Sequence, residues 1–195
     1  MIWASCLTLS CQCTSTSRVC HRRASFFHLR RIRSVRRQLG RDVTAKLITA
    51  FVLSRLDHCN AVLAGLPAMT LVSLQRVLHA AARTVLDLKL GDHVTPTLRE
   101  LHWLPITERI QYKLCLLVHK MFVGHAPDYI ASLLTPASDI PSRSSLRSSC
   151  NCVLVVPRTS RKIGDRAFSV AAPRALNRLP TDLKLLRSTA SFIQE

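Results

Sequence analysis

The stretch MTLVSLQRVLHAAARTVLDL, residues 69–88, is the most regular in this chain of 195 residues. Leu71, Leu74, Leu78, Ala81 and Val85 recur every three or four positions. That is the repeat of one face of an α-helix. Arg76 and Arg83 fall away from the stripe, and Ala80–Ala82 favour helix further. The stretch predicts an amphipathic helix with one side in a core and arginine on another.

The same pattern extends outward from it. Upstream, residues 24–39 place Phe26, Leu29, Ile32, Val35 and Leu39 along one side, while Arg30, Arg33 and Arg37 recur along another. Residues 42–63 are apolar nearly all round between Leu47 and Leu53, as in a helix covered by its neighbours. Downstream, Thr95-Pro96 predicts a short helix, with Thr95 as N-cap and Pro96 at the first helical position. Residues 106–123 carry Ile110, Leu114, Leu117, Val118 and Met121 on one face, with Arg109, Lys113 and Lys120 largely on the other. Residues 128–134 add two turns. Gly40, Gly65, Gly91 and Gly124 each follow such a run, where glycine takes the left-handed cap at no steric cost.

Beyond residue 135 the texture changes. Residues 135–151 are rich in Ser, Pro and Arg and read as a loop. Val153–Pro157 is a β-branched apolar run that reads as a short strand. Residues 166–191 read as one or two short helices broken at Pro173 and Pro180. The fold class expected is mainly α: a bundle of four to five helices followed by a looser basic tail with a short strand. The expected domains are a disordered leader at 1–20, a helical domain at 21–135, an exposed loop at 136–152 and a basic C-terminal segment at 153–195.

The charge balance narrows the function classes. There are 28 Lys+Arg against 11 Asp+Glu, a formal net charge of +17. The first 41 residues hold nine Arg and no acid. Arginine presents a planar fork that suits phosphate and stacks on flat rings. Such an imbalance predicts salt-sensitive binding to a polyanion, with nucleic acid ahead of an anionic membrane surface. No apolar run approaches the ~20 residues of a membrane span.

Catalytic signatures are missing from the sequence. It holds no Gly-rich phosphate loop, nucleophile elbow, H-E-x-x-H or pair of adjacent Asp. Two-metal phosphoryl chemistry needs closely held carboxylates, and here the acids are scattered singly. Asp57-His58-Cys59-Asn60 reads as a helix end. The eight cysteines include the C-x-C pairs Cys11/Cys13 and Cys150/Cys152, a weak metal signal. Cys115 and His119 share a helix face and read as core. No metal or cofactor is expected. Met1–Cys13 makes a poor signal peptide, so a reducing intracellular compartment is expected, nuclear or cytoplasmic.

From Ala24 onward an ordered series of motifs appears. Phe26-Phe27-His28-Leu29-Arg30 is followed by Ser54-Arg55-Leu56-Asp57-His58-Cys59-Asn60 and Ala64-Gly65-Leu66-Pro67. Then come Leu74-Gln75-Arg76, Ala80–Arg83, His93-Val94-Thr95-Pro96 and Leu101-His102-Trp103-Leu104-Pro105. Tyr112-Lys113-Leu114, Ala126-Pro127-Asp128-Tyr129, Val156-Pro157-Arg158, Gly164–Ser169 and Ala172–Pro180 complete it. This series resembles the C-terminal part of the reverse transcriptase of non-LTR retrotransposons of the jockey and chicken-repeat type. Residues 1–20 do not follow the pattern, and the family continues past Phe192, so the C-terminal segment is expected to be truncated.

The resemblance implies a thumb-like helical region that follows a polymerase palm and holds template–primer nucleic acid, an RNA–DNA hybrid or DNA. The metal-binding aspartates of that family lie in the palm and are not in this chain, so a non-catalytic fragment of an RNA-directed DNA polymerase is expected. A palm domain is an implied partner. The candidate nucleic-acid-binding residues are Arg30, Arg33, Arg37, Arg76, Arg83, Arg109 and Lys113. Two other readings fit the same residues: a helical module whose Arg faces dock an acidic protein, and a degenerate open reading frame without cellular role.

Overall fold

The computed structural model describes residues 2–58, 60–89, 91–140, 152–161, 163–184 and 192, with side chains from residue 25 onward. The chain is mainly α-helical. The helices are α1 (Ile2–Ile48), α2 (Ser54–Asp57), α3 (Ala68–Leu86) and α4 (Thr95–Glu100). They are followed by α5 (Ile106–Phe122), α6 (Asp128–Ala131), α7 (Phe168–Asn177) and α8 (Thr181–Lys184). Residues 1–58 and 67–106 form one compact unit, and residues 59–66 and 107–195 a second. These units do not follow the limits 21–135, 136–152 and 153–195. Helical backbone runs back to Ile2, so α1 takes in residues 2–20.

In the first unit α1 packs chiefly against α3. The predicted stripe of α3 is buried throughout, at Leu71, Leu74, Leu78, Ala81 and Val85, and Val77 and Ala82 join it. On α1 the buried face runs through Ser25, Leu29 and Ile32. Phe26 (41% exposed) and Val35 (42% exposed) lie off that face, which corrects their expected place in the core. The reason is helical phase. Ser25 is small enough to be covered at the seam, and that turns its large neighbour Phe26 to the edge.

Gly40 takes φ 72° and ψ 174° inside α1 and divides the helix there. That conformation is essentially open to glycine alone. Thr44 Oγ1 donates to the Gly40 carbonyl at 2.6 Å just after the break. The run that follows is not covered all round. A π-turn at Thr49–Leu53 buries Val52 and Leu53 but leaves Phe51 exposed, stacked on His28 with ring centroids 5.5 Å apart.

Helix ends differ in the residue that closes them. Gly124 (φ 79°) closes α5, with His125 N donating to Lys120 O at 2.8 Å and Gly124 N to Met121 O at 3.1 Å. Gly91 does not close α3. Asp87 does, at φ 55°, with Leu88 N donating to Arg83 O at 3.1 Å. Likewise His102 (φ 54°) closes α4, with Trp103 N donating to Leu98 O at 2.8 Å and His102 N to Arg99 O at 3.1 Å. This is the paired-bond cap that usually carries glycine. At the other end of α4, Thr95 is already helical, Val94 is the cap residue, and no side chain bonds the first turn.

In the second unit the core comprises Ile110, Leu114, Cys115 and Val118 of α5 with Ile130, Leu134, Leu154, Val170, Ala172 and Leu176. Gly65 (φ 70°) lies against Arg166, whose guanidinium donates to the Val62 carbonyl at 3.3 Å. A side chain on Gly65 would meet the Arg166 stem at 3.3 Å. Pro173 is buried inside α7 and does not break it. It stands six residues into the helix, where its missing N–H forfeits one bond. Pro180 does separate α7 from α8.

The expected strand at Val153–Pro157 is a single antiparallel bridge, Pro136 to Leu154. Ala137 N donates to Val153 O and Val155 N to Thr135 O, both at 2.9 Å. The pairing stops because the partner segment turns into a 3-10 helix at Ala137–Asp139. The groups of Leu154 turn instead to one side chain. Leu154 N donates to Asn177 Oδ1 at 3.1 Å, and Asn177 Nδ2 donates back to Leu154 O at 2.8 Å. Of the expected loop at 136–152, residues 141–151 lie outside the described residues, Cys150 among them.

Two stability predictions follow from these contacts. His102→Gly relieves a left-handed histidine and should raise the unfolding free energy by about 0.5–1 kcal/mol in urea titration. Asn177→Ala removes both bonds to buried Leu154 and should lower it by about 1–3 kcal/mol.

Candidate nucleic-acid interface

Burial of Leu29 and Ile32 fixes how α1 is rotated, and with it where the arginines point. Phe26, Arg30, Arg33 and Arg37 follow one another at steps of four, three and four residues. Helical geometry gathers residues so spaced into one stripe. All four are exposed, and the stripe flanks the buried face.

Two neighbouring arginines are already committed. Arg36 forms an ion pair with Asp87. Arg41 pairs with Glu100 at 2.5 Å. Arg30, Arg33 and Arg37 form no ion pair or hydrogen bond among the described residues. Exposed ion pairs contribute little to stability. Here they matter by neutralising two of the positive charges on α1.

Arg83 of α3 stands across from Arg30 and Arg33, and the three line one cleft. Arg83 is half-buried, and one guanidinium N–H donates to the Asp92 carbonyl at 3.4 Å. Arg76 is exposed on the same side of α3, two turns earlier, and does not line that cleft. Between them His79 bonds Gln75, with Nε2 to Nε2 at 2.7 Å. Burial, and then the Arg83 charge, hold its ring below the ordinary histidine range, so it adds no positive charge to this side at neutral pH.

Arg109 and Lys113 lie one turn apart on α5, in the second unit. Lys113 is exposed, whereas Arg109 is half-buried and already engaged within the protein. Of the residues singled out in the sequence, Arg30, Arg33 and Arg83 come together along one cleft, where Phe26, read there as core, is exposed. The spacing of Phe26 to Arg30 and Arg33 was the available signal.

Elsewhere, Asp165, Cys115 and His119 are held by contacts within the fold. Asp165 is held below the usual carboxylate range, first by the hydrogen bond from Thr159 (2.6 Å) and then by that from Arg174 (2.8 Å). Cys115 is buried, which pushes its thiol up to about 11. His119 stacks on Phe192 with ring centroids 4.4 Å apart. Among the described residues no three His, Cys, Asp or Glu gather as a metal site, and no helix is long and apolar enough to cross a membrane. Cys59 lies outside the described residues. Asn60 is buried at the start of a 3-10 helix, next to the end of α2.

No family model matches the chain, and no curated protein or solved structure matches it.

The Cys115 thiol gives a pH prediction. Its folded value lies above its ordinary value of 9.0, so the folded state retains a proton that the unfolded state releases. That contribution to stability is complete below pH 9.0 and is lost as pH rises to about 11. Urea midpoints measured across this window should fall less in Cys115→Ala than in the parent chain, each referred to its own midpoint at neutral pH.

Proposed function

We propose that this chain binds template–primer nucleic acid without catalysing its synthesis, as the thumb-like part of a non-LTR retrotransposon reverse transcriptase. The observation that carries this reading is the stripe of Arg30, Arg33 and Arg37. It is exposed, free of acidic partners among the described residues, and set on a chain of net charge +17. Arg83 and Arg76 extend the positive surface on α3. A phosphate backbone presents negative charge at regular intervals, which arginines one helical turn apart can follow.

The ordered motif series supports the same reading. Two of its members, Ala64-Gly65-Leu66-Pro67 and Gly164-Asp165-Arg166, meet within the second unit through Gly65 and Arg166. In this reading the polymerising carboxylates belong to a palm domain, and this chain contributes grip.

The test is binding of a labelled RNA–DNA hybrid to the full chain across a salt series, with helicity followed by circular dichroism. Log affinity should fall steeply with log salt. Replacing Arg30, Arg33 and Arg37 together by Ala should flatten the slope by up to ~3 units. Arg41→Gln, which removes a charge already paired with Glu100, should change it by much less. A helical chain that fails to bind at physiological salt would sink the proposal.

A further inference from the structure

The cleft beside the arginine stripe has a composition that a simple phosphate track does not require. Its volume is about 400 Å³. Arg30 and Arg33 enter it from α1, and Arg83 and Thr84 from α3. Phe26, with 41% of its surface exposed, and Leu88 supply apolar wall. Among the described residues that line it, none is acidic.

Three guanidiniums, those of Arg30, Arg33 and Arg83, line the same space. The chemistry on that side calls for an anion. The Phe26 side calls for a flat or apolar group. The volume lies in the lower part of the range for small-molecule sites, ~300–1,000 Å³, and is too small for a duplex.

One nucleotide has this same division, with a phosphate at one end and a flat base at the other. We infer that the cleft takes a single unpaired nucleotide, its phosphate on Arg30, Arg33 and Arg83 and its base against Phe26. The inference rests on the nucleic-acid reading above and narrows it. Duplex follows the outer stripe toward Arg37, and the first unpaired nucleotide turns in at the Phe26 end. Stacking of a base on an aromatic ring tolerates any sequence, so the cleft reads strandedness and not base identity.

The experiment compares two labelled probes on the full chain: a blunt RNA–DNA hybrid and the same hybrid with a single-stranded oligothymidine overhang. The overhang should tighten binding by about 5- to 150-fold, the range for one stacked base. Phe26→Ala and Phe26→Leu should each remove that gain, so that the overhang probe binds no more tightly than the blunt hybrid does to the same variant. The leucine variant preserves apolar bulk, so a loss there reports the ring and not the fold. Thymidine monophosphate should compete for the overhang better than inorganic phosphate does. Equal affinity for both probes, an equal loss on both in the Phe26 variants, or equal competition by phosphate would each overturn the cleft while leaving hybrid binding intact. Failure to bind either probe would instead remove the nucleic-acid reading itself, and the cleft with it.

Discussion

The packing of α1 on α3 is the constraint from which the rest follows. A helix buried along Ser25, Leu29 and Ile32 has no rotational freedom left. Once that face is fixed, every other residue of the segment has its direction assigned, and Arg30, Arg33 and Arg37 emerge together along one flank. The buried stripe of α3 does the same for Arg83. The basic surface is thus a by-product of apolar packing. Its geometry is held by burial of roughly 1.5–3 kcal/mol per large side chain, far more than exposed charges could supply for themselves.

Charge is then allotted by the few acids in reach. Asp87 stands in the left-handed turn that ends α3, and from there it takes Arg36. Glu100, on the last turn of α4, takes Arg41. A chain with 11 acids and 28 bases cannot neutralise most of its arginines. Which ones remain available is decided by where helices end. This separates a basic composition, which attracts any polyanion, from a basic surface with a defined track.

Much of this was legible in the sequence, for reasons that can be stated. The stripe from Leu71 to Val85 reads correctly because it lies on one uninterrupted helix with a full period. α5 does so for the same reason, and Gly124 marks its end. Asp87 and His102 were illegible as caps, because a left-handed turn leaves a compositional trace only when glycine occupies it. Phe26 was misplaced because size argues for burial, whereas phase gave the buried position to Ser25. The β-branched run at Val153–Pro157 announces strand propensity but cannot announce whether a partner of matching length exists. The pairing of Arg36 and Arg41 was invisible, since their partners lie far along the chain and meet them only through the fold.

That β-branched run illustrates a further consequence. Val153-Leu154-Val155-Val156 is the kind of short, uncharged, apolar segment that adds readily to a neighbouring molecule's sheet. On one side it meets the bridge at Thr135–Ala137. On the other, a single amide, Asn177, occupies both the donor and the acceptor of Leu154. A side chain cannot propagate a ladder as a backbone would. The segment therefore has its hydrogen-bonding groups met at its most buried residue without offering a row of open ones to another chain. Asn177 acts there as a terminator, and a hazardous sequence is held folded without a sheet being built around it among the described residues.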